Sequence, residues 1–323
     1  MRLLKPLLLS AAIAAGCAIA HAASPQASSQ AATMTAAKAA PVPLLWKVSD
    51  ADNSPDTYLY LLGSFHMLMP DDYPVSADVD AAFEDAESLL FEIDPAALAS
   101  PDTIAKFQKA SAYDDGRTLS QVLPAATRDK LETLLAASGG SIATFEAAEP
   151  WAVNLGLVLG IVQAMGFRSE DGLDRYFMAR AEKTGKPVAG LESVDVQMAA
   201  LDGTPHAEQI AGLDEFLSDP TKAVTEMRTL HASWRQGDLK ALDQKFRVEM
   251  ARESPVSYRL VNVDRNDAWM SKLEQRLKVA GSDDTLAVVG TLHLLGDDGV
   301  VEKLRARGYQ VERVCSVCTP KHR

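Results

Sequence analysis

Two apolar runs, "PLLWKVSD" at 43–50 and "TYLYLLGS" at 57–64, flank "ADNSPD", a cluster of turn formers, and predict a β-hairpin where the folded region begins. "SADVDAAFEDAES" then spaces its apolar positions as a helix does, and "LLFEID" at 89–94 is a short apolar run of strand length. From Asp102 to about Gly185 the period is helical throughout. Its middle segment, "EPWAVNLGLVLGIVQAMGF", is apolar nearly all round and is interrupted by Asn154 and Gln163, which predicts a buried core helix rather than a membrane span. "KPVAGLE" at 186–192 follows the Gly185 stop as another strand, and a long helical stretch runs from Val194 to about Arg252. "DRNDAWMSKLEQRLKVAG" reads as a helix with Asp264 as its N-terminal cap. The strand "TLAVVG", the helix "GVVEKLRARG" and the strand "YQVERV" close the chain. The expected fold is α/β: a central mixed sheet built from the N- and C-terminal segments, with a large helical insertion layer.

The first residues follow a different logic. Arg2 and Lys5, the apolar stretch Leu7 to Ala15 and the small residues of "AIAHAA" read as a signal peptide over 1–22. An alternative is a lipoprotein signal ending at Cys17. Residues 23–43 are Ala, Ser, Gln, Thr and Pro with almost nothing bulky to bury, a flexible low-complexity leader. That leaves 44–318 as one α/β domain, expected in the periplasm or secreted, with no transmembrane span in the mature chain. The net charge of −12 becomes −14 once Arg2 and Lys5 are removed, and no basic stripe exists for a phosphate backbone, so nucleic acid is excluded as a partner. Cys315 and Cys318 in "CSVC" are either a local disulfide or two inert thiols, since a zinc site would find only His322 nearby.

Chemistry enters with four polar residues at strand carboxyl ends: His66 after "YLYLLG", Glu92 in "LLFEID", Glu192 closing "PVAGLE" and His293 after "LAVVG". In open α/β sheets such ends converge on one crevice. A single histidine there is ordinarily structural. Finding Gly-X-X-His twice, as "GSFH" and "GTLH" more than 200 residues apart, changes the weighing. In each copy the glycine is expected to allow a turn with unusual dihedrals. Two imidazoles and two carboxylates can bind a divalent metal, or divide into ligands and a base acting on water. Glu92 inside an apolar strand must be paired or coordinated, whereas Glu192 could merely cap the next helix. Arg265 and Asn266 could steady a carboxylate or an anionic group, and a structural salt bridge is an equal reading of Arg265. His206, His231 and His322 receive no role.

The ordered set "GSFH", "FEID", "GLDRYFMARAEKTGKPVAGLES" with Gln197 following, "DRNDAWMSKL" and "GTLH" resembles the TraB/GumN family over about residues 44–314. That family is similar to the TIKI membrane-anchored metalloproteases and, more distantly, to erythromycin esterase and ChaN-like proteins. The resemblance implies an α/β fold with the paired histidines at one site, where His66, Glu92 and His293 match the proposed site positions and Glu192 and Arg265 lie in matching motifs. The function expected is an exported metal-dependent hydrolase, peptidase-like, acting on a peptide or another small polar substrate. His66, Glu92 and His293 would hold manganese, cobalt or zinc, Glu192 would act as base or orienter, and Arg265 would steady a substrate oxygen. A rival expectation is a non-catalytic periplasmic binding or assembly protein linked to polysaccharide biosynthesis or export, or a haem- or metal-binding protein.

Overall fold

The structure is a computed structural model that describes residues 39–50, 57–278 and 283–318. The signal-like segment with Cys17, most of the leader, the "ADNSPD" turn and His322 lie outside the described residues. Six strands form one mixed sheet: β1 (Leu45–Ser49), β2 (Leu59–Ser64), β3 (Ser88–Ile93), β4 (Val188–Glu192), β5 (Thr285–Gly290) and β6 (Gln310–Arg313). Their spatial order is β4-β3-β5-β2-β1-β6. β1 pairs antiparallel with β2 and β6, and the pairs β2·β5, β3·β5 and β3·β4 are parallel. Every residue of β2 and of β5 is buried, as parallel strands covered on both faces require.

The parallel block matters most for function. Strands from three remote parts of the chain lie side by side with their carboxyl ends on one edge, in the register Ile93 opposite Glu192 and Ser64 opposite Gly290. Crossovers are made by helices α1 (Ala77–Asp85), α2 (Pro150–Ala164), α3 (Leu173–Thr184), α4 (Val194–Asp202), α5 (His206–Ser218), α6 (Pro220–Arg235), α7 (Asp264–Leu277) and α8 (Val300–Ala306). α2 has 15 residues, about 22 Å at 1.5 Å per residue. It buries one face through Trp151, Leu155, Val158 and Val162 and leaves Gly156 and Gly160 exposed. Among the described residues no helix is long and apolar enough to cross a membrane.

Three local expectations need correction. The long helical stretch after Val194 is broken at Pro205 and Pro220, because a proline lacks the N–H that would continue the preceding helix and instead opens the next one. Asp264 does not cap a helix: the chain is already helical through Pro255–Tyr258 and the π-helical turn Arg259–Val263. Nor do the motif glycines adopt unusual dihedrals. Gly290 has φ −52°, and neither it nor Gly63 has positive φ. Gly63 is required by close approach, since a Cβ there would lie 2.8 Å from the Thr291 hydroxyl oxygen, which donates to the Ser64 carbonyl at 2.9 Å. The first motif's glycine thus makes room for the second motif.

Cys315 and Cys318 form a disulfide beyond β6. Pro41 and Val42, at the end of the leader, hydrogen-bond through their backbones to Ser76 and Arg235.

Candidate functional site

The loop leaving β2 carries His66, and it is held in place before any ligand is considered. Phe65 packs among the rings of Phe167, His231 and Trp234, and the Trp234 indole donates to the Gly63 carbonyl at 3.0 Å. His231, which the sequence left without a role, is buried and paired through Nε2 with both Asp72 oxygens at 2.9 Å. On the other side Gly172, just before α3, backs against His66. A Cβ at Gly172 would stand 2.3 Å from the His66 carbonyl oxygen. Gly172→Ala should therefore displace the histidine loop and cost about 1–3 kcal/mol, the usual range for overpacking. Urea unfolding of the variant checks this, and a midpoint equal to that of the unsubstituted protein would contradict it.

His66, Glu92, Glu192, Arg265 and His293 all converge at the carboxyl edge of the parallel block. Exposure of His66, Glu92, Arg265 and His293 is 1–3%, so the cluster is closed to solvent. Each imidazole is fixed through Nδ1. His66 Nδ1 lies 3.1 Å from the Asp174 carboxylate, which also accepts from the Ser64 hydroxyl at 3.3 Å. His293 Nδ1 lies 2.7 Å from Asn266 Oδ1, and the Asn266 amide nitrogen donates to the Asp298 carbonyl at 2.9 Å, which settles the amide's orientation. Both partners accept, so both Nδ1 atoms carry the proton. The two Nε2 atoms lie on the side of Glu92 Oε1, at 3.7 Å from His66 and 3.9 Å from His293. Those separations are too long for hydrogen bonds.

Arg265 binds the two glutamates to one another. Nη2 is 2.6 Å from Glu92 and 2.6 Å from Glu192, and Nε donates to both Glu192 oxygens at 2.9 and 3.1 Å. Nη1 donates to the Val261 carbonyl at 3.0 Å, inside the π-helical turn, and lies 3.2 Å from His293 Nε2. The Trp269 indole donates to Glu192 Oε2 at 2.9 Å. Glu92 further accepts from the Gly290 backbone at 2.7 Å and from the Gln197 amide at 3.2 Å.

Electrostatics follow from this packing. Burial alone would raise the Glu92 carboxyl, but the Arg265 charge, the two imidazoles and the Gly290 N–H together hold it down to about 2. Burial, then the Arg265 charge, push His293 down to about 3 against the pull of Glu92, so its imidazole is neutral at physiological pH. Burial works against the Arg265 charge, and Glu192 and Glu92 outweigh it, raising the guanidinium above its ordinary range.

For a metal, the donor types are suitable: two imidazoles, one ionised carboxylate, and outer partners Asp174, Asn266, Arg265 and Gln197 that orient them. An ion held at about 2.1 Å per ligand spans at most about 4.2 Å between two ligands, and both Nε2–Oε1 separations, 3.7 and 3.9 Å, fall within that. As the side chains stand, no three His, Cys, Asp or Glu among the described residues are gathered closely enough to hold an ion. The neighbour that would have to give way is Arg265 Nη1, whose N–H points to the His293 lone pair.

Of these residues, Asp174 and Trp269 were not foreseen as part of the site, and Gln197 entered only through the family motif. Asp174 sits in the first turn of α3, where an acidic residue is ordinary, so nothing local distinguishes it.

The model of the TraB/PrgY/gumN family matches residues 44–313. The chain is 24% identical over 261 residues to the uncharacterized protein YbaP of Escherichia coli (strain K12), covering 80% of this chain and 92% of that one. YbaP of Shigella flexneri matches with the same identity and coverage. No solved structure matches the chain.

Proposed function

We propose, from the premise that this chain belongs to the TraB/PrgY/gumN family, that the buried cluster is the centre of an exported, metal-dependent hydrolase of peptidase type. The observation that carries the reading is geometric: Asp174 and Asn266 hold both imidazoles through Nδ1 so that two Nε2 atoms face one oxygen of an ionised glutamate. His66 Nε2, His293 Nε2 and Glu92 Oε1 are the atoms that would hold manganese, cobalt or zinc. Bound there, a divalent ion would supply a more acidic water and a Lewis acid for a carbonyl oxygen.

The other side chains have roles that follow from their contacts. Arg265 Nη2 fixes the second oxygen of Glu92, leaving Oε1 toward the imidazoles. Both oxygens of Glu192 are engaged by Arg265 and Trp269, which makes it an orienter of the guanidinium rather than a base. Arg265 has five N–H groups. The one directed at His293 Nε2 is the one released whenever that lone pair is taken by something else, and it would then be free to donate to a substrate oxygen. In the reaction, water oxygen bonds to the peptide carbonyl carbon, the C–N bond breaks, and the amine leaves with a proton. The disulfide Cys315–Cys318 supports an oxidising compartment, in keeping with the signal-like N-terminus.

One observation favours a second reading. A closed cluster in which Arg265 bridges two glutamates is also how a rigid structural charge network is built, which suits a non-catalytic periplasmic binding or assembly protein. Elemental analysis and calorimetry with manganese, cobalt and zinc on the protein from residue 23 onward, beside a random peptide library, separate the two. Hydrolysis is expected with one bound ion per chain, lost on chelation and restored by added metal. A folded protein that neither retains an ion nor cleaves any peptide would overturn the hydrolase in favour of the second reading.

A further inference from the structure

Gln197 lies on α4, five residues beyond Glu192, and is 1% exposed. Its amide nitrogen donates to Glu92 Oε2 at 3.2 Å, beside the Arg265 contact on the same oxygen. A carboxylate only accepts, so the NH2 must face Glu92 and the amide cannot be turned round. The consequence falls on the other half of the group. Gln197 Oε1 is buried and has no hydrogen-bond partner among the described residues. A buried carbonyl left unpaired typically costs about 1–3 kcal/mol, so an amide in this position is poorly explained as a prop for Glu92 alone.

The surrounding layer points the same way. Val194 and Leu201 flank Gln197 on α4 and pack with Ile93, Trp151 and Met198 in one apolar cluster over the end of β3. Within α2, Trp151 Nε1 and Asn154 Oδ1 are likewise buried without partners among the described residues. The apolar cluster at Ile93 therefore meets one unmatched donor, Trp151 Nε1, and one unmatched acceptor, Gln197 Oε1, where apolar side chains would have closed it at less cost.

We propose that Gln197 is a specificity-determining residue of the hydrolytic site: its NH2 positions Glu92, and its Oε1 accepts the N–H of the peptide bond to be cut. The inference rests on the hydrolase reading above. An amide supplies that N–H, whereas an ester presents an oxygen that only accepts and leaves Oε1 unpaired. Sites that hydrogen-bond a substrate N–H or O–H reject analogues lacking it strongly. The enzyme should thus favour a peptide over the ester of the same sequence, although esters are the more reactive class.

The test takes the first peptide cleaved from a random library and its depsipeptide, in which the N–H of the cleaved bond is replaced by oxygen. kcat/KM is measured for both on the wild type, Gln197→Met and Gln197→Glu, with circular dichroism to establish folding. The wild type should favour the peptide, and Gln197→Met should lower the peptide-to-ester ratio at least tenfold. Gln197→Glu keeps an acceptor oxygen but loses the donor to Glu92, so it should be slower on both substrates with the ratio preserved. The contrast between a ratio that falls in Gln197→Met and one that holds in Gln197→Glu is what a purely structural role would not produce. A ratio unchanged in Gln197→Met, or a wild type that favours the ester, overturns the role of Gln197 while leaving the hydrolase standing. Absence of cleavage of every peptide and ester by folded wild type overturns the hydrolase reading, and this inference with it. If Gln197→Met does not fold, Gln197→Leu, which also lacks the acceptor, takes its place, and a wild type that favours the ester still overturns the role.

Discussion

Arg265→Met is expected to destabilise the protein by about 3–5 kcal/mol at pH 7, the usual cost of removing one partner from a buried ion pair. The guanidinium is 2% exposed and contacts both Glu92 and Glu192 at 2.6 Å. Without it, Glu92 retains the Gly290 and Gln197 donors, and Glu192 retains the Trp269 indole. Neutral hydrogen bonds of that kind do not compensate two buried negative charges. The variant should also respond to acid in the opposite sense to the wild type.

The sign follows from the folded and unfolded ionisations. In the wild type Glu92 is held down to about 2 against an ordinary 4.5, so its stabilising contribution is present above about pH 4.5 and is lost as pH falls toward 2. His293, held down to about 3 against 6.5, acts in the same direction, its contribution being lost as pH falls from about 6.5 toward 3. In Arg265→Met the buried Glu92 carboxyl loses the charge that held it down and favours the protonated form, which folding stabilises, so part of the loss at pH 7 should be recovered near pH 4.5. Urea unfolding at the two pH values measures this directly. A variant within 1 kcal/mol of wild type at both would show that the charges are solvated or paired elsewhere.

The second large effect is expected at the histidines. His66→Ala and His293→Ala should each abolish ion retention and reduce peptide hydrolysis on the order of 10³-fold or more, about 4 kcal/mol of transition-state stabilisation. Each removes one of the two Nε2 atoms that face Glu92 Oε1, and a site left with one imidazole and one carboxylate has too few ligands for tight binding. The variants differ in what they leave behind. His66→Ala strips Asp174 of its imidazole, and His293→Ala strips Asn266 of its own. Calorimetry with manganese, cobalt and zinc on both folded variants, followed by library cleavage, reads the outcome. Retention of one ion per chain by either variant would sink the joint site.

The membership of the site was partly legible in the chain. A glutamate inside the apolar run "LLFEID" has no stable place unless it is paired, and a Gly-X-X-His repeated after two apolar strands is hard to attribute to packing alone. Its wiring was not legible. Glu192 and Arg265 looked like candidates for catalysis, yet their atoms are largely engaged with one another, a fact that depends on α7 crossing the end of β4. The motif glycines suggested backbone strain, whereas Gly63 proves to be a matter of space shared with Thr291 across the β2·β5 pair.

Local pattern alone therefore indicated the strands and the α/β fold, and which residue types stand at strand ends, but not the helix breaks after Val194 or the start of the helix at Asp264, because periodicity and turn chemistry act over a few residues. Pairing order, the imidazole contacts of Asp174 and Asn266, the placement of Gln197 and the bridging of two glutamates by one arginine came only with the tertiary structure. The side-chain contacts among them join residues 27 to 173 positions apart, and the β2·β5 pairing joins residues 226 apart. They arise from burial and from matching donors to acceptors in a closed interior, which no short stretch of sequence encodes.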